Sequence, residues 1–184
     1  MRLWASFLML LATIPASASA DCKRPLAFAY SILSTSVAEP LAQNSFDIDL
    51  DRGVLWRGHA GERVSVCPND SPYFCFTSVP LSFAVPRQSL HINQVWTVAG
   101  RTYTALGVQE FSLLGVRTTV FRISGAPVAS DGAEPTIYFF SVERGLIALR
   151  LAAQIGEPPN IVVAEAGVGF AARSCAKSQS DAQP

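Results

Sequence analysis

From residue 45 onward, apolar and polar side chains alternate with a period of two, and turn signals interrupt the pattern every few residues. In residues 45–56, for example, Phe46, Ile48 and Leu50 alternate with aspartates before Arg-Gly at 52–53 turns the chain. Successive side chains of a strand point to opposite faces, so this period is typical of half-buried strands. No long segment shows sustained helical periodicity. The sequence predicts an all-β fold, or a β-rich one with one short helix, arranged as an antiparallel sandwich or open barrel.

Turn residues divide the pattern into predicted strands and hairpins. Two segments, Leu26–Val37 and Leu106–Leu114, fit either a strand or a short helix. Prolines flank Leu81–Val85, which favours a position at a sheet edge. The clearest hairpin joins Thr136–Val142 to Leu146–Leu151. The remaining predicted strands are Glu62–Val66, Tyr73–Ser78, Gln94–Val98, Thr102–Val108, Val116–Ile123 and part of Ile161–Phe170.

The first twenty residues have the features of a cleavable secretory signal. Arg2 precedes an apolar run from Leu3 to Pro15, and Ala-Ser-Ala at 18–20 offers small residues to a signal peptidase. The run is short for a membrane span, and no later segment has 18 uninterrupted apolar residues. We expect cleavage after Ala20 and a periplasmic or secreted protein without a transmembrane span. Residues 21–175 should form a single β-rich domain, followed by a disordered tail over 176–184.

All four cysteines follow the predicted signal: Cys22, Cys67, Cys75 and Cys175. An even number of cysteines in an exported domain is typical of disulfides. We favour Cys67–Cys75, which closes a short turn-rich loop, and Cys22–Cys175, which ties the start of the domain to its end. The spacing of 67 and 75 is too wide for a zinc knuckle. Zinc ligation is therefore the less favoured alternative.

The balance of charge gives no indication of a nucleic-acid partner. The chain has 14 Lys and Arg and 14 Asp and Glu, and removal of the signal leaves a net charge of about −1. Binding to a phosphate backbone selects for clustered basic residues, whereas the arginines here are scattered. We therefore expect neither nucleic acid nor an anionic membrane surface as the partner.

The sequence contains no recognisable catalytic motif. His59 and His91 are its two histidines, and neither has a His, Cys or acidic neighbour at metal-ligand spacing. Neither a Gly-x-Ser-x-Gly elbow nor a phosphate loop is present. The Asp-x-Asp-x-Asp run over 47–51 has the spacing that opens a calcium loop, but Arg52 occupies the position that requires glycine. We expect a solvated acidic face there, and no catalytic residue, metal or cofactor.

The strand at 137–140 reads Ile-Tyr-Phe-Phe, so both of its faces are apolar. Other residues or a binding partner must shield each of these apolar faces from water. One interpretation is internal cover by a helix from Leu26–Val37 or by the long loops, and the other is an apolar binding surface. The weak binding candidates are Tyr138 and Phe140 of this strand, with Trp56 and Trp96 at other hairpin positions.

Three stretches resemble uncharacterised small exported proteins of Gram-negative bacteria. They are the Arg-Gly hairpin Tyr138–Leu149, the Cys67/Cys75 loop and the Ala-Ser-Ala signal at 18–20. The resemblance implies export, and it assigns a role to no residue.

Three functional hypotheses follow from the sequence. The first is a non-catalytic exported β-domain that binds a protein or an envelope component. The second is a periplasmic carrier that holds a lipid or another apolar ligand in an open β-barrel, and the third is a hydrolase that uses His59 or His91. A carrier needs an enclosed cavity of roughly a few hundred Å³, whereas a protein binder needs an exposed patch or an open edge strand.

Overall fold

The computed structural model describes residues 26–32, 45–79, 81–128, 134–151 and 161–173. The predicted signal, the predicted tail, Cys22 and Cys175 lie outside these residues, and so does part of Leu26–Val37. The described residues confirm the predicted all-β class. Their strands are β1 (Ala27–Ile32), β2 (Phe46–Asp49), β3 (Val54–Arg57), β4 (Ala60–Arg63), β5 (Ser65–Val66), β6 (Tyr73–Thr77), β7 (Ser82–Pro86), β8 (Val95–Val98), β9 (Arg101–Leu113), β10 (Val116–Pro127), β11 (Thr136–Ser141), β12 (Gly145–Arg150) and β13 (Ile161–Ala164).

The strands form two antiparallel sheets. The large sheet has ten strands in the order β4-β3-β2-β1-β13-β12-β11-β10-β9-β8, and the small sheet has the order β5-β6-β7. Strands β1 and β13 pair in the middle of the large sheet, with Tyr30 opposite Ala164. The chain passes from the large sheet to the small one at Val64, between β4 and β5. The large sheet is open, because β4 and β8 form its two edges.

Both segments that the sequence left ambiguous are strands where the structure describes them. Strand β1 is paired on both sides, with β2 and with β13. Its alternation places Phe28 and Tyr30 in the core, so burial decides its conformation, as is usual for central strands. The helix alternative is therefore wrong for residues 26–32. The segment Leu106–Leu114 continues β9 up to Leu113, which makes that strand longer than predicted.

The small sheet packs on one face of the large sheet, called here the inner face. Phe83 of β7 is fully buried, and its ring centroid lies 5.0 Å from that of Tyr138 and 6.0 Å from that of Phe140. Phe76 of β6 makes an edge-on contact with Phe170 at 5.0 Å. Edge-on and tilted contacts are the favoured arrangements of aromatic rings. The main hydrophobic core therefore lies between the two sheets.

Two aromatic side chains donate hydrogen bonds to backbone carbonyls on the outer edge of β7. This strand was correctly predicted to lie at an edge. The carbonyl of Cys75 accepts a hydrogen bond from the backbone just after β5, so the polar groups of its β7 partner Ala84 face away from β6. The indole N–H of Trp96 donates to the Ala84 carbonyl at 3.1 Å. The hydroxyl of Tyr138 donates to the Ser82 carbonyl at 2.6 Å. These bonds remove a penalty of about 1–3 kcal/mol for each buried carbonyl left unpaired.

The segment after β13 is held against β12 by the hydroxyl of Tyr30. This hydroxyl donates to the Leu146 carbonyl at 2.8 Å and accepts the N–H of Phe170 at 3.1 Å. The N–H of Leu146 donates to the Phe170 carbonyl at 2.8 Å. A β-carbon on Gly169 would overlap the Leu146 carbonyl oxygen, so only glycine allows this close approach. The ring of Phe170 is thereby fixed in the core.

The far half of the β9–β10 hairpin curls over the opposite, outer face of the large sheet. The ring centroids of Phe111 and Phe139 lie 5.4 Å apart, whereas a flat sheet in this register would separate them by about 16 Å. At the hairpin tip, a δ-methyl of Leu114 lies 3.7 Å from the place a β-carbon would take on Gly167, beyond β13. The residues buried in this outer cluster are Leu113, Val120, Ile147, Ala148 and Val163.

Two β-bulges accompany this curl. One shifts the pairing of β9 with β10 and leaves Leu106 without a partner in the register. The other does the same to Ile147 between β11 and β12. Bulges bend a strand and increase its twist, so they provide the local cause of the curvature. Among the described residues, the second apolar face of residues 137–140 is thus covered by a hairpin of the same chain and not by a helix or a loop.

Candidate functional site

The two histidines are exposed and lie in separate parts of the fold. His59 lies in the turn between β3 and β4, and His91 precedes β8, where its backbone N–H donates to the side chain of Gln94. Among the described residues, neither imidazole has a hydrogen-bond or ion-pair partner. These residues also hold no group of three or more His, Cys, Asp or Glu side chains placed to bind a metal ion. The described residues therefore provide neither histidine with a side chain positioned to assist it in hydrolysis.

Three of the four aromatic binding candidates lie in the core. Trp96, Tyr138 and Phe140 are buried between the sheets and present almost no surface. Trp56 is 38% exposed, and its ring lies across Gly61 of β4, where a β-carbon would come within 2.8 Å of it. Such cover of a strand glycine by an aromatic ring is a common device for stabilising a sheet edge. As a binding residue, Trp56 stays a prediction.

A cluster of polar side chains lies next to the small sheet and consists of the partly buried Arg101 and the buried Tyr103 and Tyr138. The guanidinium of Arg101 donates to the Gly125 carbonyl at 3.1 Å. A β-carbon on Gly125 would come within 2.9 Å of both tyrosine rings, so glycine permits their packing. Burial raises the pKa of Tyr138 to about 12 and that of Tyr103 well above its usual value, although the charge of Arg101 acts in the opposite direction. Both phenols are therefore neutral at physiological pH and serve the packing of the core.

The outer edge of β9 is a further candidate site, and the sequence did not indicate it. The turn Leu114-Gly115 joins β9 to β10 with positive φ at both residues, 52° and 76°, which is the geometry of a tight two-residue hairpin turn. Such a turn is closed by a hydrogen-bonded pair, here Leu113 and Val116. Because hydrogen bonding alternates along an antiparallel strand, Phe111 and the other odd-numbered residues nearby also bond to β10.

The even-numbered residues Val108, Glu110 and Ser112 consequently point their backbone N–H and C=O groups away from β10. Within the described residues, these groups have no backbone partner, because β8 pairs only with Arg101–Thr104. The loop before β8 bonds to Ala105 and no further along β9. Val108 is 46% exposed and Leu106 is 40% exposed. The edge is thus a strand of open hydrogen-bonding groups with apolar side chains beside it, and we call it the free edge of β9.

A cavity of about 290 Å³ lies between the two sheets, at the end where β1 begins. The disulfide Cys67–Cys75, which the sequence predicted, forms part of its wall. Asn69 and Arg87 are its polar lining residues. The apolar side chains that line it are Leu26, Phe28, Leu50, Val66, Phe74 and Phe170.

Arg87 is the only charged side chain that lines this cavity among the described residues. Its Nε donates to the Tyr73 carbonyl at 3.2 Å and its Nη2 to the Pro68 carbonyl at 3.4 Å. The guanidinium carbon lies 4.1 Å from the centre of the Phe74 ring, a cation–π contact. No carboxylate of the described residues forms an ion pair with Arg87. Its positive charge at an apolar cavity is therefore not neutralised by an acid of the described chain.

Comparison with known proteins leaves this chain without a match. No family model matches it, and neither the curated proteins nor the solved structures include a match. Helices of the length and apolar character needed to cross a membrane are absent from the described residues. The free edge of β9 and the cavity beside Arg87 are therefore the features from which a function has to be inferred.

Proposed function

We propose that this protein is an exported, non-catalytic β-domain that binds another protein, or a protein component of the cell envelope, along the free edge of β9. The observation that carries the proposal is the row of backbone groups at Val108, Glu110 and Ser112. An extended segment of a partner would add to the large sheet there, with main-chain hydrogen bonds for affinity and side-chain contacts for specificity.

Two of the other sheet edges are less suited to such pairing. Strand β4 has four residues, of which three are exposed and two, Glu62 and Arg63, are charged. Short and charged edges of this kind discourage pairing with another chain. The outer edge of β7 is already bonded by Trp96 and Tyr138. The free edge of β9 is both open and flanked by the exposed apolar side chains of Leu106 and Val108.

The curled hairpin also holds this edge in a fixed position. Phe111 and Leu113 point toward the outer cluster, where they pack on Phe139 and its neighbours. The strand that would receive a partner is therefore ordered before binding. Pre-organisation of this kind lowers the conformational entropy that is lost on association.

Two features support export. The N-terminal segment has the features of a secretory signal. The disulfide Cys67–Cys75 fits an oxidising compartment, because cytosolic thiols are generally kept reduced. We therefore expect the protein to bind its partner in the periplasm or outside the cell.

The substitutions Glu110→Pro and Glu110→Ala test the proposal at one position. Proline removes the outward N–H but takes none from the β10 ladder, because Glu110 is not a hydrogen-bonded position of that pair. Alanine keeps the N–H, and both variants lose the 2.8 Å hydrogen bond that Glu110 accepts from the Thr119 hydroxyl. Comparison of the two variants therefore separates the effect of losing the outward N–H from the effect of losing the carboxylate.

The measurement is amide hydrogen exchange by NMR, with and without the envelope fraction of the organism that makes the protein. We expect added protection at the amides of Val108, Glu110 and Ser112, and no added protection at Gln109 and Phe111, which already bond to β10. Glu110→Pro should abolish this alternating pattern, while Glu110→Ala should keep it. Protection confined to another part of the molecule, or an unchanged response in Glu110→Pro, would refute the proposal.

A further inference from the structure

We infer that the cavity between the sheets binds a small amphipathic carboxylate, with its apolar part among Phe28, Leu50 and Phe74 and its carboxylate on Arg87. This site is separate from the free edge of β9, and the inference does not rest on the proposal for that edge. The cavity, the position of Arg87 and the absence of a neutralising acid in the described chain lead to it together.

The lining favours an apolar guest. Phe28 and Phe170 are nearly fully buried and form the inner wall, whereas Leu26 and Val66 are about half exposed and lie toward solvent. A hydrocarbon chain placed among these side chains leaves water and covers apolar surface of the protein at the same time. The cavity is thus open to a ligand from outside and apolar within.

The volume limits the size of the guest. At about 30 Å³ for each non-hydrogen atom, which is the volume share of a water molecule, 290 Å³ holds on the order of ten such atoms. This volume lies near the lower end of the range for ligand pockets. A medium-length alkyl chain fits, whereas a phospholipid with two long acyl chains does not. A whole phospholipid therefore exceeds this cavity, whereas a smaller apolar ligand, which the carrier hypothesis also includes, does not.

Arg87 supplies the recognition of an anion. Two carbonyls and the ring of Phe74 fix the plane of its guanidinium, so little side-chain entropy is lost when a ligand binds. Its third nitrogen, Nη1, has no hydrogen-bond partner among the described residues. A carboxylate oxygen placed there gains a charge-assisted hydrogen bond beside an apolar surface, where such bonds are strongest.

Decanoate and decanol provide a matched pair of probes, because they share one alkyl chain and differ in charge. Binding to the purified protein is measured by isothermal titration calorimetry and by NMR shifts of the cavity residues. Wild type should bind decanoate about tenfold more tightly than decanol, since one charge-assisted hydrogen bond contributes on that scale. The ratio of the affinity for decanoate to the affinity for decanol should fall toward one in Arg87→Met and stay above one in Arg87→Lys.

Val66→Trp serves as the second variant, because it fills the mouth of the cavity at a half-exposed position without touching Arg87. It should weaken both probes by about tenfold or more, since the volume for the chain is lost. Glu110→Pro should leave decanoate binding unchanged, which separates this site from the edge of β9. Equal affinity of wild type for the two probes, no binding of decanoate, or full binding in Val66→Trp would each overturn the inference.

Discussion

The two faces of β11 are covered in different ways. On the inner face, the small sheet packs aromatic rings on Tyr138 and Phe140, and hydrogen bonds from Tyr138 and Trp96 join the two layers. On the outer face, the curled β9–β10 hairpin packs on Phe139 and its neighbours through apolar contacts. The inner layer is the larger one and contains buried polar groups, whereas the outer layer is a small apolar cluster.

This difference links the packing to the proposed function. The inner cover comes from a separate sheet and leaves the strand order of the large sheet intact. The outer cover comes from the large sheet itself, because the far half of β9 continues beyond β8 and curls over. That half of β9 therefore has no neighbouring strand on its outer side within the described residues. The length of β9 beyond β8 leaves this edge open, and the curl of the same segment covers the second apolar face.

The largest expected effect is that of Phe83→Ala in the inner layer. The ring is fully buried and contacts Phe76, Tyr138, Phe140 and Phe170. Removal of a buried phenylalanine ring typically lowers the free energy of unfolding by about 3–5 kcal/mol. Urea denaturation measures this change. A loss below about 1 kcal/mol would show that the two sheets do not share a core.

High pH should weaken the inner layer in particular. Burial raises the pKa of Tyr138 to about 12 and those of Tyr30 and Tyr103 higher, from a usual value of 10.0. The unfolded chain therefore loses these protons first, so the contribution of these tyrosines to stability is constant below about pH 10 and falls as the pH rises toward 12. For Tyr138 alone, the loss amounts to about 2–3 kcal/mol.

Denaturation midpoints between pH 8 and pH 12 test this prediction. Tyr138→Phe is the matched variant, because it removes the titrating group and leaves the ring. Its stability should be lower than that of wild type at pH 8, since the Ser82 carbonyl loses its donor, but should depend less on pH above 10. An equal pH dependence in both proteins would contradict the burial of the Tyr138 phenol.

Phe111→Ala should have a smaller effect, confined to the outer layer. This ring is only partly buried, so its removal should lower the free energy of unfolding by about 1–2 kcal/mol. Amide exchange should become faster in residues 107–121 and stay unchanged in β6 and β7. A loss as large as that of Phe83→Ala would mean that the two layers do not differ in the way described.

The smallest expected effect on stability is that of Glu110→Pro, below about 1 kcal/mol, because no hydrogen bond of the β10 ladder is lost. Phe111→Pro is the control at the next residue. Its N–H is bonded to β10, so proline there should lower the free energy of unfolding by about 1–3 kcal/mol beyond the loss in Phe111→Ala, because a ladder hydrogen bond is lost and a β10 carbonyl is left unpaired. Similar melting temperatures for the two variants would show that the assigned alternation along β9 is wrong.

Much of the local structure was predictable from the sequence. The turns at Arg52-Gly53 and Ala99-Gly100 lie where glycine allows positive φ, and the strands on either side follow the period-two pattern. The Cys67–Cys75 pair closes the predicted loop, and the prolines beside β7 mark a true edge strand. These features depend on residues close together in the chain, where turn geometry and alternation act directly.

The long-range features were not predictable in the same way. Leu106–Leu114 was ambiguous, because one side of that segment packs on strands that follow it in the chain and the other side faces solvent. The hydrogen bonds that the Tyr138 hydroxyl and the Trp96 indole donate to β7 carbonyls depend on the packing of a second sheet. The cavity is lined by residues as distant in sequence as Leu26 and Ala172. No short pattern encodes such contacts, since each one requires the register and the bulges of the whole sheet.

The curl of the β9–β10 hairpin over the outer face is what covers the second apolar face of β11 from within the chain, and ¹H–¹H NOE spectroscopy tests it most directly. We expect NOEs between the ring protons of Phe111 and Phe139, and between the Leu114 methyls and the α-protons of Gly167. A hairpin that continued in the plane of the sheet would hold the two rings about 16 Å apart. Absence of both NOEs in a folded sample would show that the hairpin does not curl over the outer face.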